Sequence, residues 1–138
     1  MKKNLPYNTN LASEFWFLSA LYRLGVDAHL TLGNKKAVDI IIFNSSNVNV
    51  TVDVKGVAEQ YDWPADNFIF DKPNHYYALM SFDGNISDID KVPSVWIIPS
   101  KDISKFIKKY STRSVVSRAL VKKEGKDYKS AWKLLKYQ

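Results

Sequence analysis

The sequence predicts a mixed α/β domain with a sheet of about five strands flanked by helices. Three observations carry that prediction: an apolar-periodic segment closed by Gly25, a run of three short β-prone segments, and two later β-prone segments followed by a lysine-rich stretch of helical period. The segment LASEFWFLSALYRLG follows Asn8-Thr9-Asn10, whose side-chain oxygens can cap a helix, and it ends at a glycine. Leu11, Phe15, Leu18, Leu21 and Tyr22 form its expected apolar stripe. Strands are expected over 28–32, 38–43 and 48–54, separated by Gly33-Asn34-Lys35-Lys36 and Asn44-Ser45-Ser46-Asn47, which suit an antiparallel meander. The stretch 56–74 has no sustained period and carries Pro64 and Pro73. Strands follow over 75–82 and 94–99, the second almost continuously apolar and therefore expected at the centre of the sheet. Ser100 can cap a helix in which Ile103, Phe106, Ile107 and Tyr110 recur at helical spacing, and Tyr128, Ala131, Trp132 and Leu135 suggest a last one.

A length of 138 residues with 46% apolar and 25% charged residues suits one globular domain over 1–138, and an aromatic content of 14% argues against disorder. No run of 18 apolar residues indicates a membrane span and MKKNLPYNTN lacks the apolar core of a secretory signal, so the expected setting is the cytoplasm with no membrane partner. With no cysteine and only His29 and His75, thiolate zinc sites, cysteine nucleophiles and multi-histidine metal sites are excluded, and a metal would need carboxylate oxygens.

The net charge of +6 is unevenly distributed. Residues 1–100 hold 8 Lys/Arg against 11 Asp/Glu, whereas residues 101–138 hold 12 against 3. An acidic body is thus joined to a basic section that can attract a polyanion, unless its lysines are only a solvated face. Lys105, Lys108, Lys109, Arg113, Arg118, Lys122 and Lys123 are the candidate nucleic-acid contacts.

Three acids interrupt apolar patterns. Glu14 lies among the stripe residues of the first helix, where an unpaired charge is costly, although a carboxylate near a helix N-terminus is also favoured by the dipole. Asp39 breaks the apolar strand VDIIIF. In Val48-Asn49-Val50-Thr51-Val52-Asp53-Val54-Lys55 the valines take one face, and Asp53 and Lys55 share the other. A hairpin centred on Ser46 sets Ile41 opposite Thr51 and Asp39 opposite Asp53. Opposed carboxylates repel at a Cβ separation of ~5 Å, but together they can ligate a hard cation. A register shifted by one would put them on opposite faces, and singly each residue also reads as an ordinary strand-end or surface charge.

Taken together, Glu14, Val38-Asp39 and Asp53-Val54-Lys55-Gly56, on a helix followed by a hairpin, resemble the PD-(D/E)xK nuclease superfamily, which includes restriction endonucleases and archaeal Holliday-junction resolvases. The resemblance covers about residues 11–100 and implies the restriction-endonuclease-like αβββαβ core, whose second helix would have to lie in 56–74. It implies that Asp39, Asp53 and the Val54 carbonyl hold Mg2+ or Mn2+, that Lys55 positions the attacking water, and that Glu14 completes the site directly or through a bound water. Val38 stands where the family pattern has proline, and Gln60 sits where some relatives place another polar active-site residue. His75 and Trp63 are expected as packing residues.

The implied activity is metal-dependent endonucleolytic hydrolysis of phosphodiester bonds, in DNA more than RNA, selected by substrate structure or by a partner protein because no added specificity domain is visible. Such nucleases often pair to cut two strands, so a homodimer stays open. Two alternatives also stay open: a catalytically inactive nuclease-fold module that binds nucleic acid, and a protein-interaction or immunity-type domain that uses the acidic 56–74 stretch as its contact surface.

Overall fold

The computed structural model describes residues 6–31 and 39–136, with side chains from residue 8. Val38 and the 33–36 turn lie outside the described residues. Helix α1 spans Pro6–Arg23, one turn earlier than the Asn8–Asn10 cap predicts, because proline suits a helix start, where its missing N–H would be unpaired anyway. It ends as predicted. Gly25 takes φ +77°, its N–H donates to the Tyr22 carbonyl, and the Val26 N–H reaches back to Leu21.

The buried face of α1 departs from the predicted stripe. Thr9, Ser13, Glu14, Phe17 and Leu21 are buried, whereas Phe15 and Tyr22 are more than half exposed. The cause lies in β3, Val50–Val57, which ends its valine alternation at Gly56. A Cβ at Gly56 would overlap the Ser13 side chain, so two small residues let helix and strand close together there. The Ser13 hydroxyl, buried at this contact, donates to the Thr9 carbonyl at 2.7 Å.

The main sheet has the order β1-β2-β3-β5-β6, with β1 Ala28–Leu30, β2 Ile40–Ile42, β5 His75–Ser81 and β6 Ser94–Pro99. β1, β2 and β3 form the expected antiparallel meander, and β3 runs parallel to β5. The β2–β3 turn is fixed by Asn44, whose Oδ1 accepts from Ser46 N at 3.0 Å and Ser46 Oγ at 2.7 Å, and by Asn47 at φ +64°. Both faces of the sheet are covered. On one, Ile40, Ile42, Val50, Val52, Val54, Met80 and Ile97 pack with Phe17 and Leu21 of α1 and with Leu135. On the other, Tyr77, Leu79, Trp96 and Ile98 meet Trp63, Phe106, Val116 and Val121.

β6 is therefore apolar throughout yet lies at the sheet's edge, not its centre. Its residues are buried from both faces, and a bridge from Trp96 to Lys129 covers the open edge.

The second face is capped by a small antiparallel sheet in place of the predicted helices. It has the order β4-β8-β7, with β4 Trp63–Pro64, β7 Ile107–Lys109 and β8 Ser114–Val116. No helix occurs in 56–74; the connection from β3 to β5 instead lends β4 to this sheet. Two of its acids serve that junction. Asp66 Oδ1 accepts from Ser114 N at 2.7 Å and Asp62 Oδ1 from Arg118 N at 2.8 Å.

The helix expected from Ser100 is a single 3-10 turn, Ile103–Phe106. Ile103 and Phe106 are buried as the helical spacing predicts, but Ile107 turns away to pair with Val116. Ser100 caps nothing here: its hydroxyl donates to Ile69 O at 2.6 Å and accepts from Lys72 N at 3.0 Å. Helix α2, Arg118–Glu124, begins where the Ser117 side chain accepts from Leu120 N. The last predicted helix is split into a 3-10 turn, Lys126–Tyr128, and α3, Lys133–Lys136, because Ser130 takes φ +51°.

Candidate functional site

β2 and β3 pair with Ile41 opposite Thr51, the register that the turn at Ser46 predicts. Asp39 lies one residue before the Ile40–Val52 pair, and its carboxylate reaches the Asp53–Val54 peptide, while Asp53 follows Val52 on the face away from α1. Asp39 is pinned from both sides. Its N–H donates to Val52 O at 3.0 Å, and its carbonyl accepts from Thr31 N at 2.9 Å. Its Oδ2 accepts from Val54 N at 2.7 Å, which satisfies a β3 amide that β2 no longer reaches. In an extended strand the N–H and C=O of one residue point the same way, so the Val54 carbonyl is directed toward Asp39 too.

Asp53 is bordered by two β5 side chains. His75 lies with Nδ1 2.6 Å from Thr51 Oγ1 and Nε2 3.7 Å from Asp53 Oδ2. That Nε2 is buried and makes no hydrogen bond. The packing role expected of His75 is what the fold gives it, edge-on to Tyr77 at 4.9 Å, but it also flanks Asp53, which its strand position alone does not reveal. Burial pushes the Tyr77 hydroxyl above its ordinary pKa; its hydrogen bonds with the Ile69 backbone act the other way, and the Asp53 charge adds to the rise.

Lys55 follows on the same face, half-buried, with Nζ 5.9 Å from the centre of the Phe68 ring. It lines a cleft of about 470 Å3 between the start of α1, the end of β3 and the 58–68 connection. Glu14 is 7% exposed and sits next to Ser13, the residue that touches β3 at Gly56. Glu14 does not join Asp39 and Asp53 in a group of three. Gln60 is exposed and does not line the cleft. Among the described residues, no group of three His, Asp or Glu is close enough to hold a metal ion, and the contact that links the candidates is the Asp39 carboxylate on the Val54 amide.

Of the basic candidates, Lys105, Lys108, Lys109, Arg113, Lys122 and Lys123 are exposed. Arg118 is corrected. Its side chain is 12% exposed, bonded through Nη2 to Asp83 Oδ1 at 2.6 Å and through Nη1 to Ser81 Oγ at 2.9 Å, with its guanidinium about 6 Å from the Trp63 and Trp96 rings. It clamps the two sheets together and is not a surface phosphate contact. Burial alone would raise the Asp83 pKa, but hydrogen bonds from Ser81, Arg118 and Ser94, together with the guanidinium charge, hold it below the usual carboxylate value.

No protein-family model, curated protein or solved structure matches the chain. Among the described residues, no helix is long and apolar enough to cross a membrane.

Proposed function

We propose that the protein is a divalent-cation-dependent nuclease that hydrolyses phosphodiester bonds in DNA. The observation that carries this reading is the approach of the Asp39 carboxylate to the Asp53–Val54 peptide, with Asp53 and Lys55 on one face of β3 and Lys55 at the mouth of a cleft. Two adjacent carboxylates can share a hard cation. Mg2+ or Mn2+ held there would supply a nucleophile near neutral pH and offset charge growing on the phosphate oxygens. Asp39, Asp53 and the Val54 carbonyl are the residues to hold it. Lys55 draws the scissile phosphate to the cleft mouth and positions the attacking water, and Glu14 completes the site from α1. The restriction-endonuclease-like core belongs to this proposal, with a small sheet in the place of its second helix.

Direction of the nucleic acid is supported by topology. β4 lines the cleft through Pro64 and pairs with β8, which pairs with the lysine-bearing β7, so the basic section is built onto the sheet that borders the cleft. One observation favours a second reading, a module on this scaffold that binds nucleic acid without cutting it: Asp39 already serves the Val54 amide, and the described residues place no third acid beside the pair. Incubation of the protein with duplex, single-stranded and branched DNA in Mg2+ or Mn2+ separates the two. Cleavage that Asp53→Asn abolishes is expected; metal-independent binding without cleavage selects the second reading.

A further inference from the structure

We propose that the cleft beside Lys55 receives one unpaired nucleobase of a DNA strand, which makes unpaired DNA, and not uninterrupted duplex, the ligand of this site. The inference rests on the nuclease reading only for the placement of the phosphate at Lys55. The cleft volume of about 470 Å3 lies within the ~300–1,000 Å3 range of small-ligand pockets. Its lining is unlike a phosphate site. Among the described residues that line it, Lys55 is the one cation and Asp66 the one acid, and the other polar side chains include the neutral amides of Asn10 and Asn67.

Charge and shape then order the ligand. A phosphate is favoured at the Lys55 end and repelled from the Asp66 end. Asp66 uses Oδ1 for the Ser114 amide, which leaves its second oxygen for an N–H donor such as a base amino or imino group. Asn10 and Asn67 can donate to or accept from the same edge. Two aromatic side chains complete the wall. Tyr61 is 61% exposed, and Phe68 is held flat against Tyr77, rings 4.0 Å apart and 9° from parallel, so its orientation is fixed before any ligand arrives. An exposed aromatic ring beside a cation, with a second ring held in place at the wall, is an arrangement that binds unstacked bases. A base inside an intact duplex cannot reach such a recess without leaving its stack.

The test is binding without metal, in EDTA, followed by the anisotropy of end-labelled DNA. The probes are a short single strand, its fully abasic counterpart, its duplex, and a free deoxynucleotide as competitor. The single strand is expected to bind roughly tenfold more tightly than the abasic strand or the duplex, and Tyr61→Ala is expected to remove roughly that factor for the intact strand alone. Equal binding of intact and abasic strands, no binding of either, or a Tyr61→Ala variant that weakens both alike overturns the proposal. A free deoxynucleotide that binds as tightly as the strand overturns the assignment to a strand. Metal-dependent cleavage of DNA without base-dependent binding would remove this inference and leave the nuclease reading. Base-dependent binding without cleavage would do the reverse.

Discussion

Asp39 commits one carboxylate oxygen to the Val54 amide, so it is a structural residue as well as a candidate ligand, and substitutions can separate the two roles. Asp39→Asn keeps an acceptor for that amide, whereas Asp39→Ala orphans it and is expected to lower the unfolding free energy by about 1–3 kcal/mol in denaturant titrations. Both variants should lose cleavage. Asp83 gives the pH dependence. Its folded-state pKa is depressed, so its contribution to stability is fully present above the ordinary aspartate value, about 3.9, and is lost as pH falls through the lowered folded value. Asp83→Ala is expected to cost about 2 kcal/mol near neutrality and to flatten the acid limb of a thermal-melt series below pH 4, since it leaves Arg118 unpaired between two tryptophans. At this scale the Ile41–Thr51 register was legible, because strand side chains alternate and an Asn-Ser-Ser-Asn turn fixes it, whereas the ladder ends at Asp39, whose N–H turns to Val52 O. Arg118 was not: charge and position gave no sign that Ser81, Asp83, Trp63 and Trp96 would surround it.

Elements were legible where local pattern and tertiary surroundings agree. The meander, β5 and β6 lie within a few residues of their apolar runs, and Gly25 ends α1. They were misread where a partner elsewhere in the chain decides. Ile107 completes a helical spacing with Ile103 but is drawn into β7 by Val116, and the buried face of α1 follows its contact with Gly56 of β3, which leaves Phe15 and Tyr22 of the predicted stripe exposed. That second point is testable. Gly56→Ala is expected to destabilise the fold by about 1–3 kcal/mol through overlap with Ser13, and Ser13→Gly in the same chain should recover part of the loss in a double-mutant cycle. The connection 56–74 shows a third case: the second helix expected there is replaced by β4, with Asp62 and Asp66 accepting from backbone amides of α2 and β8.

Across the whole molecule, the sheet separates two functions. Its α1 face is a core of valine and isoleucine, while the other face carries Asp53 and Lys55 next to a cleft and a small sheet rich in exposed lysine. The division of charge between an acidic body and a basic final section, visible in composition alone, therefore corresponds to architecture: β7 and β8 bring the basic section onto the cleft side of the main sheet. DNA affinity is accordingly expected to fall linearly on a log-log plot against salt, and removing the charge of Lys108, Lys109 or Arg113 should each reduce the slope by about 1 where that side chain meets a phosphate. The most direct measurement is the divalent-ion dependence of cleavage of DNA with unpaired segments, wild type against Asp53→Asn at equal thermal stability. The account predicts cleavage in Mg2+ or Mn2+ that EDTA stops and that Asp53→Asn slows by at least about 100-fold; no cleavage by the wild type with either ion, or equal cleavage by the variant, would contradict it.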